Sequence, residues 1–357
     1  MNFYPRVILA PEQFEPSFKG WIIKGVLNPG VVRKKDGRIL LFVRIAESAG
    51  AQHESMNACP VITNKEDYGV AYEKIKKGEI VGEGSSGEVF LKNGLCKLST
   101  IAHIRRVLLE PDGIIINSID QEPFFTGIPG EGEYGVEDPR ITVIGEKYYM
   151  TYVAVSIREG VSTHLASSSN LTNWKRKGII FREQNKDVVL FPEKIKGYYV
   201  AFHRPEGCFE FSRPNIWISY SPDLTYWGRE KTVVQAREGK WDGERIGAGT
   251  PPIRTNKGWL MLYHGVVTRN NAKIYRAGAL MFDLKNPEKI IARSDEPLFE
   301  PKDLNETSGF VNNVVFPTGA VLTSDKKALL VYSGGADRTI SVRTIPLKAV
   351  FQHLKVA

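Results

Sequence analysis

The segment with the most chemistry in this chain is Tyr134-Gly-Val-Glu-Asp-Pro-Arg140, three charged side chains leading into the apolar run Ile141–Ile144. A carboxylic acid held in one place can deliver a proton, and Asp138 precedes Pro139, which biases its backbone away from the right-handed helical region and toward an extended form. A lone Asp-Pro also serves as an Asx-type turn, but the flanking Glu137 and Arg140 make this loop unusually charged for a strand entrance. Other polar residues break apolar patterns in the same way: Arg44, the pair His203-Arg204, His264 and Asp337 each end or directly follow a hydrophobic stretch. Such residues converge only if the stretches before them are equivalent strands of one repeated unit.

The repeat is present. A turn with Gly or Lys followed by an apolar, aromatic-rich segment occurs at Gly37–Arg44 (GRILLFVR), Gly145–Val153 (GEKYYMTYV), Gly197–Arg204 (GYYVAFHR), Gly258–Gly265 (GWLMLYHG) and Lys327–Gly334 (KALLVYSG). Each has the Tyr, Phe, Val and Leu content of a β-strand, and the spacing leaves room for about four short strands per copy. A second repeat, Ser169–Trp174 and Ser221–Trp227, places a Trp after a turn, with Glu110–Gly113 a degenerate copy. In radially packed sheets such a Trp fills the wedge between neighbours. Apart from Leu347–Leu354 no amphipathic helical stretch stands out, and the alternation of strands and helices that marks a parallel α/β fold is absent. The pattern predicts an all-β, five-bladed β-propeller, a single catalytic domain over residues 1–357, with an insertion in the first blade around 68–98. Strand ends of a propeller face a central channel, so the polar strand ends above would share one site.

Bulk composition is that of a globular protein: of 357 residues, 42% are hydrophobic and 25% charged, which excludes disorder and fibrous structure. Pro5, Glu12 and Glu15 interrupt what a signal peptide would need, and no run approaches 18 apolar residues, so a cytoplasmic protein with no membrane partner is expected. Cys59, Cys96 and Cys208 lack both metal-ligand spacing and disulfide density, which predicts reduced thiols and no metal site. A net charge of +8 is spread as single residues and pairs, arguing against nucleic acid and fitting a smaller anion.

The ordered set GVEDPR, LFPEKI (190–195), HRP (203–205), SYSPDLTYW (219–227), RIGAGTPPI (245–253), GWLMLYHGV (258–266), NNVVFPTG (312–319) and GGAD (334–337) resembles glycoside hydrolase family 130, over nearly the whole chain except 68–98. The resemblance implies a five-bladed propeller that cleaves β-mannosides with inversion, using phosphate in most members and water in a minority. Carried over residue by residue, it makes Asp138 the general acid, acting through the 3-hydroxyl of the bound mannose. It makes Lys186, Arg204 and Tyr275 phosphate ligands, with Arg44 a further cation, and assigns sugar contacts to Asn28, His203, Asp337 and Asn313, to which the charged or polar neighbours Glu137, Arg140 and His264 are added. No cofactor is implied beyond inorganic phosphate as co-substrate; the partners are a β-1,2- or β-1,4-linked mannoside and phosphate, and a homo-oligomer is left open.

One departure stands out. Where phosphorolytic relatives usually carry another Arg, this chain reads Ile45-Ala-Glu-Ser-Ala-Gly50. Either Lys97 or Arg105 replaces that cation, or the site is hydrolytic with Glu193 or Glu210 as base. The expected activity is phosphorolysis of a β-mannoside to α-mannose 1-phosphate, the alternatives being an inverting β-mannosidase and a non-catalytic sugar-binding propeller.

Overall fold

The computed structural model describes residues 3–50, 58–64, 68–207 and 211–356. Among them the chain is all-β, with five antiparallel sheets of four or more strands built in sequence order. Sheet I comprises Ile22–Arg33, Ile39–Ser48, Thr100–Leu109 and Ile116–Ile119; sheet II comprises Val136–Ile144, Lys147–Ser156, Gly160–Ser168 and Lys175–Phe181. Sheet III runs Asn185–Leu190, Tyr199–Pro205, Ile216–Ser221 and Gly228–Val234, and sheet IV runs Arg245–Ala248, Gly258–Arg269, Ala272–Phe282 and Ile290–Ser294, extended by Leu354–Val356. Sheet V takes Val315–Leu322, Ala328–Gly335 and Thr339–Pro346 from the end of the chain and Arg6–Leu9 from its start, so main-chain hydrogen bonds join the two ends.

All five apolar repeats form the second strand of their sheet. They read as nearly continuous hydrophobic runs because each is covered on both faces. In Ile39–Ser48, Leu41, Val43 and Ile45 pack toward Leu330, Tyr332, Ile340 and Val342 of sheet V, while Leu40 and Phe42 pack toward Val136, Ile141, Met150 and Tyr152 of sheet II. The same division recurs in sheet III, where Val200 and Phe202 face Trp259, Met261 and Tyr263 of sheet IV, and Ala201 faces Leu165 of sheet II. Side chains alternate across a strand, so a strand between two sheets must be apolar at every position. Trp174 meets Phe42 of sheet I edge-on at 5.5 Å, and Trp227 lies 5.4 Å from Phe181 of sheet II, both filling the gap to the preceding sheet.

Between the second and third strands of sheet I lie two small sheets, Ala58–Ile62 with Val70–Lys74, and Ile80–Glu83 with Glu88–Leu91 and Cys96–Leu98. The Trp21 indole donates to Tyr72 Oη at 2.9 Å, and the Ile62 amide donates to the Glu133 carbonyl at 2.8 Å. Cys59 is buried and Cys96 exposed, both free thiols; Cys208 lies outside the described residues. The amphipathic segment near the C-terminus is the helix Leu347–His353, which buries Ala349 and Val350. No helix among the described residues is long and apolar enough to cross a membrane.

Candidate active site

Three first strands share a local distortion. The pairing register skips between Leu27 and Gly30, between Glu137 and Arg140, and between Lys186 and Val189. Within each skip sits an Asx residue in the left-handed region: Asn28 at φ 49°, Asp138 at 50° and Asp187 at 57°. Asn and Asp tolerate this conformation best among residues with a Cβ, and the bulge re-aims their side chains. Asp138 is therefore not extended, contrary to the expectation from Pro139. Proline disfavours only the right-handed helical form of its predecessor, and the register skip drives Asp138 to positive φ instead. Nor does Glu137 point to the opposite face, as an extended strand would require: Arg44 donates to Glu137 Oε1 at 2.6 Å and to Asp138 Oδ1 at 3.0 Å.

The skips lie at the same end of the sheets as the polar strand ends, because Leu27 is paired with Arg44, Lys186 with Arg204 and Gly247 with His264. The first strands approach closely there. Arg140 Nε donates to the Gly249 carbonyl of sheet IV at 2.7 Å, and Thr318 Oγ1 of sheet V to the Pro29 carbonyl at 2.9 Å. At Gly30 a Cβ would come within 2.9 Å of the Pro139 carbonyl oxygen, so glycine is what lets sheets I and II meet.

Asp138 Oδ1 also accepts from Asn28 Nδ2 at 2.9 Å. Burial alone would raise its pKa; Arg44, Arg140, the Asn28 hydrogen bond and Lys186 together outweigh burial and hold the carboxyl below the usual range. Burial likewise opposes the charge on Arg44, but Glu137, Asp138 and Asp337 raise its pKa overall. Asp337, at φ 49° in the turn after Ala328–Gly335, behaves oppositely to Asp138. Burial, with the charges of Asp138 and Glu137, pushes it up to about 6 against the pull of Arg44 and Lys186.

A second group adjoins the first through Arg140, whose guanidinium donates to the Asp138 carbonyl at 2.9 Å and lies 3.8 Å from Asp187. Arg204 Nε donates to Asp187 Oδ2 at 2.7 Å, and its Nη1 is ion-paired with Glu206, itself 3.6 Å from Arg245. Asp187 is held ionised: burial is overcome by Arg204, His264 and Arg140. His264, fully buried, is kept neutral with its pKa near 3, chiefly by burial and then by Arg204, Arg245 and Arg140, with Asp187 opposing. Tyr275 stacks 6.1 Å from His264, and its amide donates to the carbonyl of Asn313, a residue at φ 60°.

Asn28, Arg44, Glu137, Asp138, Arg140, Lys186, Arg204, His264, Tyr275, Asn313 and Asp337 thus gather at one end of the sheets. His203 faces away from Arg204, stacked at 4.3 Å on Phe181 and accepting from Asn185 at 2.9 Å, with burial lowering its pKa to about 3. Asp187 escaped the sequence reading; its signal is the polar triplet Asn185-Lys186-Asp187 ahead of the apolar run Val188–Phe191. Among the described residues no group of three or more His, Cys, Asp or Glu side chains is placed to hold a metal.

Neither suggested replacement cation is available. Arg105 is paired in register with Val43, on the face opposite Arg44, and its guanidinium is spent on Glu47 at 2.9 Å and His103 at 2.9 Å. Lys97 is paired with Glu73 at 3.0 Å in the small sheets. Glu193, beyond the far end of Asn185–Leu190, forms a surface pair with Arg254 at 2.8 Å, about 20 Å along the chain from Lys186 at strand rise. Glu210 lies outside the described residues.

Residues 97–356 match the family described as beta-1,4-mannooligosaccharide phosphorylase. The chain belongs to glycoside hydrolase family 130. It is 31% identical to the β-1,2-mannobiose phosphorylase of Listeria innocua over 100% of this chain and 99% of that protein. It is also 39% identical to a 1,2-β-oligomannan phosphorylase of Thermoanaerobacter sp., over 67% of this chain and 77% of that one. The solved structure of the Listeria innocua enzyme in complex with β-1,2-mannobiose superposes with a TM-score of 0.88, covering 99% of each chain. The likeness covers the residues before 97 as well, so the family assignment extends to sheet I and its small-sheet insertion.

Proposed function

We propose that this family 130 member is an inverting β-mannoside phosphorylase on a five-bladed β-propeller, sheets I to V being the blades, and that its substrates are β-1,2-linked manno-oligosaccharides and inorganic phosphate. The observation that carries the reading is a partly open carboxylate, Asp138, fixed by Asn28 and Arg44, with Lys186 and Arg204 side by side on the neighbouring blade. Full-length similarity to a β-1,2-mannobiose phosphorylase supports the linkage.

In this mechanism a phosphate oxygen attacks the anomeric carbon as the glycosidic C–O bond breaks, and the departing oxygen takes a proton that originates on Asp138, relayed by the 3-hydroxyl of the mannose. Inversion needs the nucleophile on the face opposite the leaving group, and phosphate brings its own negative charge, so no base is required. Lys186, Arg204 and the Tyr275 hydroxyl hold the phosphate; point charge and planar fork both suit a dianion. Asp337, Asn28 and Asn313 bind sugar hydroxyls. The cations that keep Asp138 ionised in the free enzyme are offset once a dianion lies among them, which raises the Asp138 pKa and lets it carry the proton. Phosphate thereby arms the acid as well as displacing the acceptor.

The test is incubation with β-1,2-mannobiose and β-1,4-mannobiose, each with and without phosphate. Phosphate-dependent cleavage of the β-1,2 linkage is expected; release of mannose at the same rate without phosphate would establish a hydrolase instead.

A further inference from the structure

Asp187 has no role in the mechanism above, yet three sheets close around it. It is buried, at φ 57°, directly after Lys186. Arg204 of sheet III donates to its Oδ2 at 2.7 Å, His264 Nε2 of sheet IV lies 3.6 Å from the same oxygen, and Arg140 of sheet II lies 3.8 Å from Oδ1. On the remaining side is Gly247, where a Cβ would overlap both Asp187 Oδ2 and the His264 ring. The carboxylate is thus confined by two guanidinium charges, by the neutral His264 ring and by a missing side chain on the fourth side.

This confinement has a directional consequence. Arg204 is gripped at Nε, the inner edge of its fork, which leaves the terminal nitrogens directed away from Asp187, where Nη1 meets Glu206. Arg140 is fixed by Asp187 together with the carbonyls of Asp138 and Gly249. A guanidinium offers its donors in a rigid plane, so fixing one edge fixes the direction of the others. One buried carboxylate sets both the cation at the anion subsite and the cation beneath the acid.

We infer that Asp187 is a positioning residue for phosphate: it aims the Arg204 fork at the co-substrate and links the anion subsite to the Asp138 loop through Arg140. The inference rests on the proposed phosphorolysis, with Arg204 as a phosphate ligand. A merely structural ion pair would act on stability and active fraction, without distinguishing between the two substrates.

The experiment is steady-state kinetics of Asp187→Asn on β-1,2-mannobiose with phosphate varied, beside a thermal melt. Asparagine keeps the shape and removes the charge. The Michaelis constant for phosphate should rise about tenfold or more, the effect of misdirecting one charge-assisted contact, with that for the mannoside changed by less than about twofold, a shift of under half a kcal/mol. Gly247→Ala presses on the same oxygen without changing charge and should give the same phosphate-selective rise, so a failure of Asp187→Asn to fold leaves the inference testable. Equal changes in both Michaelis constants, or an unchanged phosphate constant in the variant that folds, would overturn it. A wild-type enzyme that shows no phosphate dependence would instead overturn the phosphorylase reading itself.

Discussion

Asp337→Asn is expected to stabilise the protein while impairing it. Burial and the charges of Asp138 and Glu137 raise the Asp337 pKa from 3.8 to about 6. The folded protein therefore binds this proton more tightly than the unfolded chain. Below about pH 4 the group is protonated in both states and costs nothing; as pH rises from 4 to 6 the unfolded chain releases the proton that the folded state retains, so the cost grows, and above 6, where the folded group is ionised too, it is fully present. Two pH units correspond to roughly 3 kcal/mol. For 357 residues at about 2.1 cal/mol/K each, the unfolding entropy is about 0.75 kcal/mol/K, so the melting temperature should rise by about 4 °C. Melts of wild type and variant at pH 8, 6 and 4 followed by circular dichroism provide the assay: a gain at pH 8, a smaller one at 6 and none at 4. A lower melting temperature at pH 8, or a difference independent of pH, would refute the electrostatic argument. Loss of activity alongside the gain would mark Asp337 as a residue kept for function at a cost in stability.

Three further outcomes are expected. Asp138→Asn should lower turnover by roughly 10² to 10⁴ with melting behaviour and sugar binding nearly intact; a variant keeping more than half the wild-type rate removes Asp138 from the mechanism. Lys186→Ala should raise the Michaelis constant for phosphate roughly 10- to 150-fold, the loss of one charge-assisted contact, and equal effects on both substrates would assign it to the sugar or the fold. Because Arg44 helps hold Asp138 ionised, Arg44→Ala should raise the Asp138 pKa and move the alkaline limb of the pH–rate profile upward; a downward shift contradicts the assignment of that limb to Asp138.

The strands were legible because burial between two sheets leaves a continuous apolar signature, which is why Gly37–Arg44 and its four counterparts all coincide with second strands. Their polar ends, Arg44, Arg204 and His264, were legible as interruptions of it. Less was visible in the first strands, which carry Asn28, Asp138 and Asp187. Each of these residues sits within a register break of its strand, and a bulge has no strong local code. Asn28-Pro29 and Asp138-Pro139 share an Asx-Pro pair, but Asp187-Val188 does not, so the third member stayed hidden. The same bulge turns Glu137 to the side of Asp138, where both meet Arg44, although an extended strand would separate neighbouring side chains. Arg44 shows a different limit, since its sequence position announces a cation at a strand end but not that Glu137 and Asp138 of the next sheet would be its partners.

The central claim, single displacement by phosphate assisted by Asp138, is tested most directly by phosphorus and proton NMR of the first product formed from β-1,2-mannobiose in phosphate buffer. The account predicts α-mannose 1-phosphate, with the new bond on the face opposite the departed sugar; a β-configured phosphate, or free mannose released without phosphate incorporation, would contradict it.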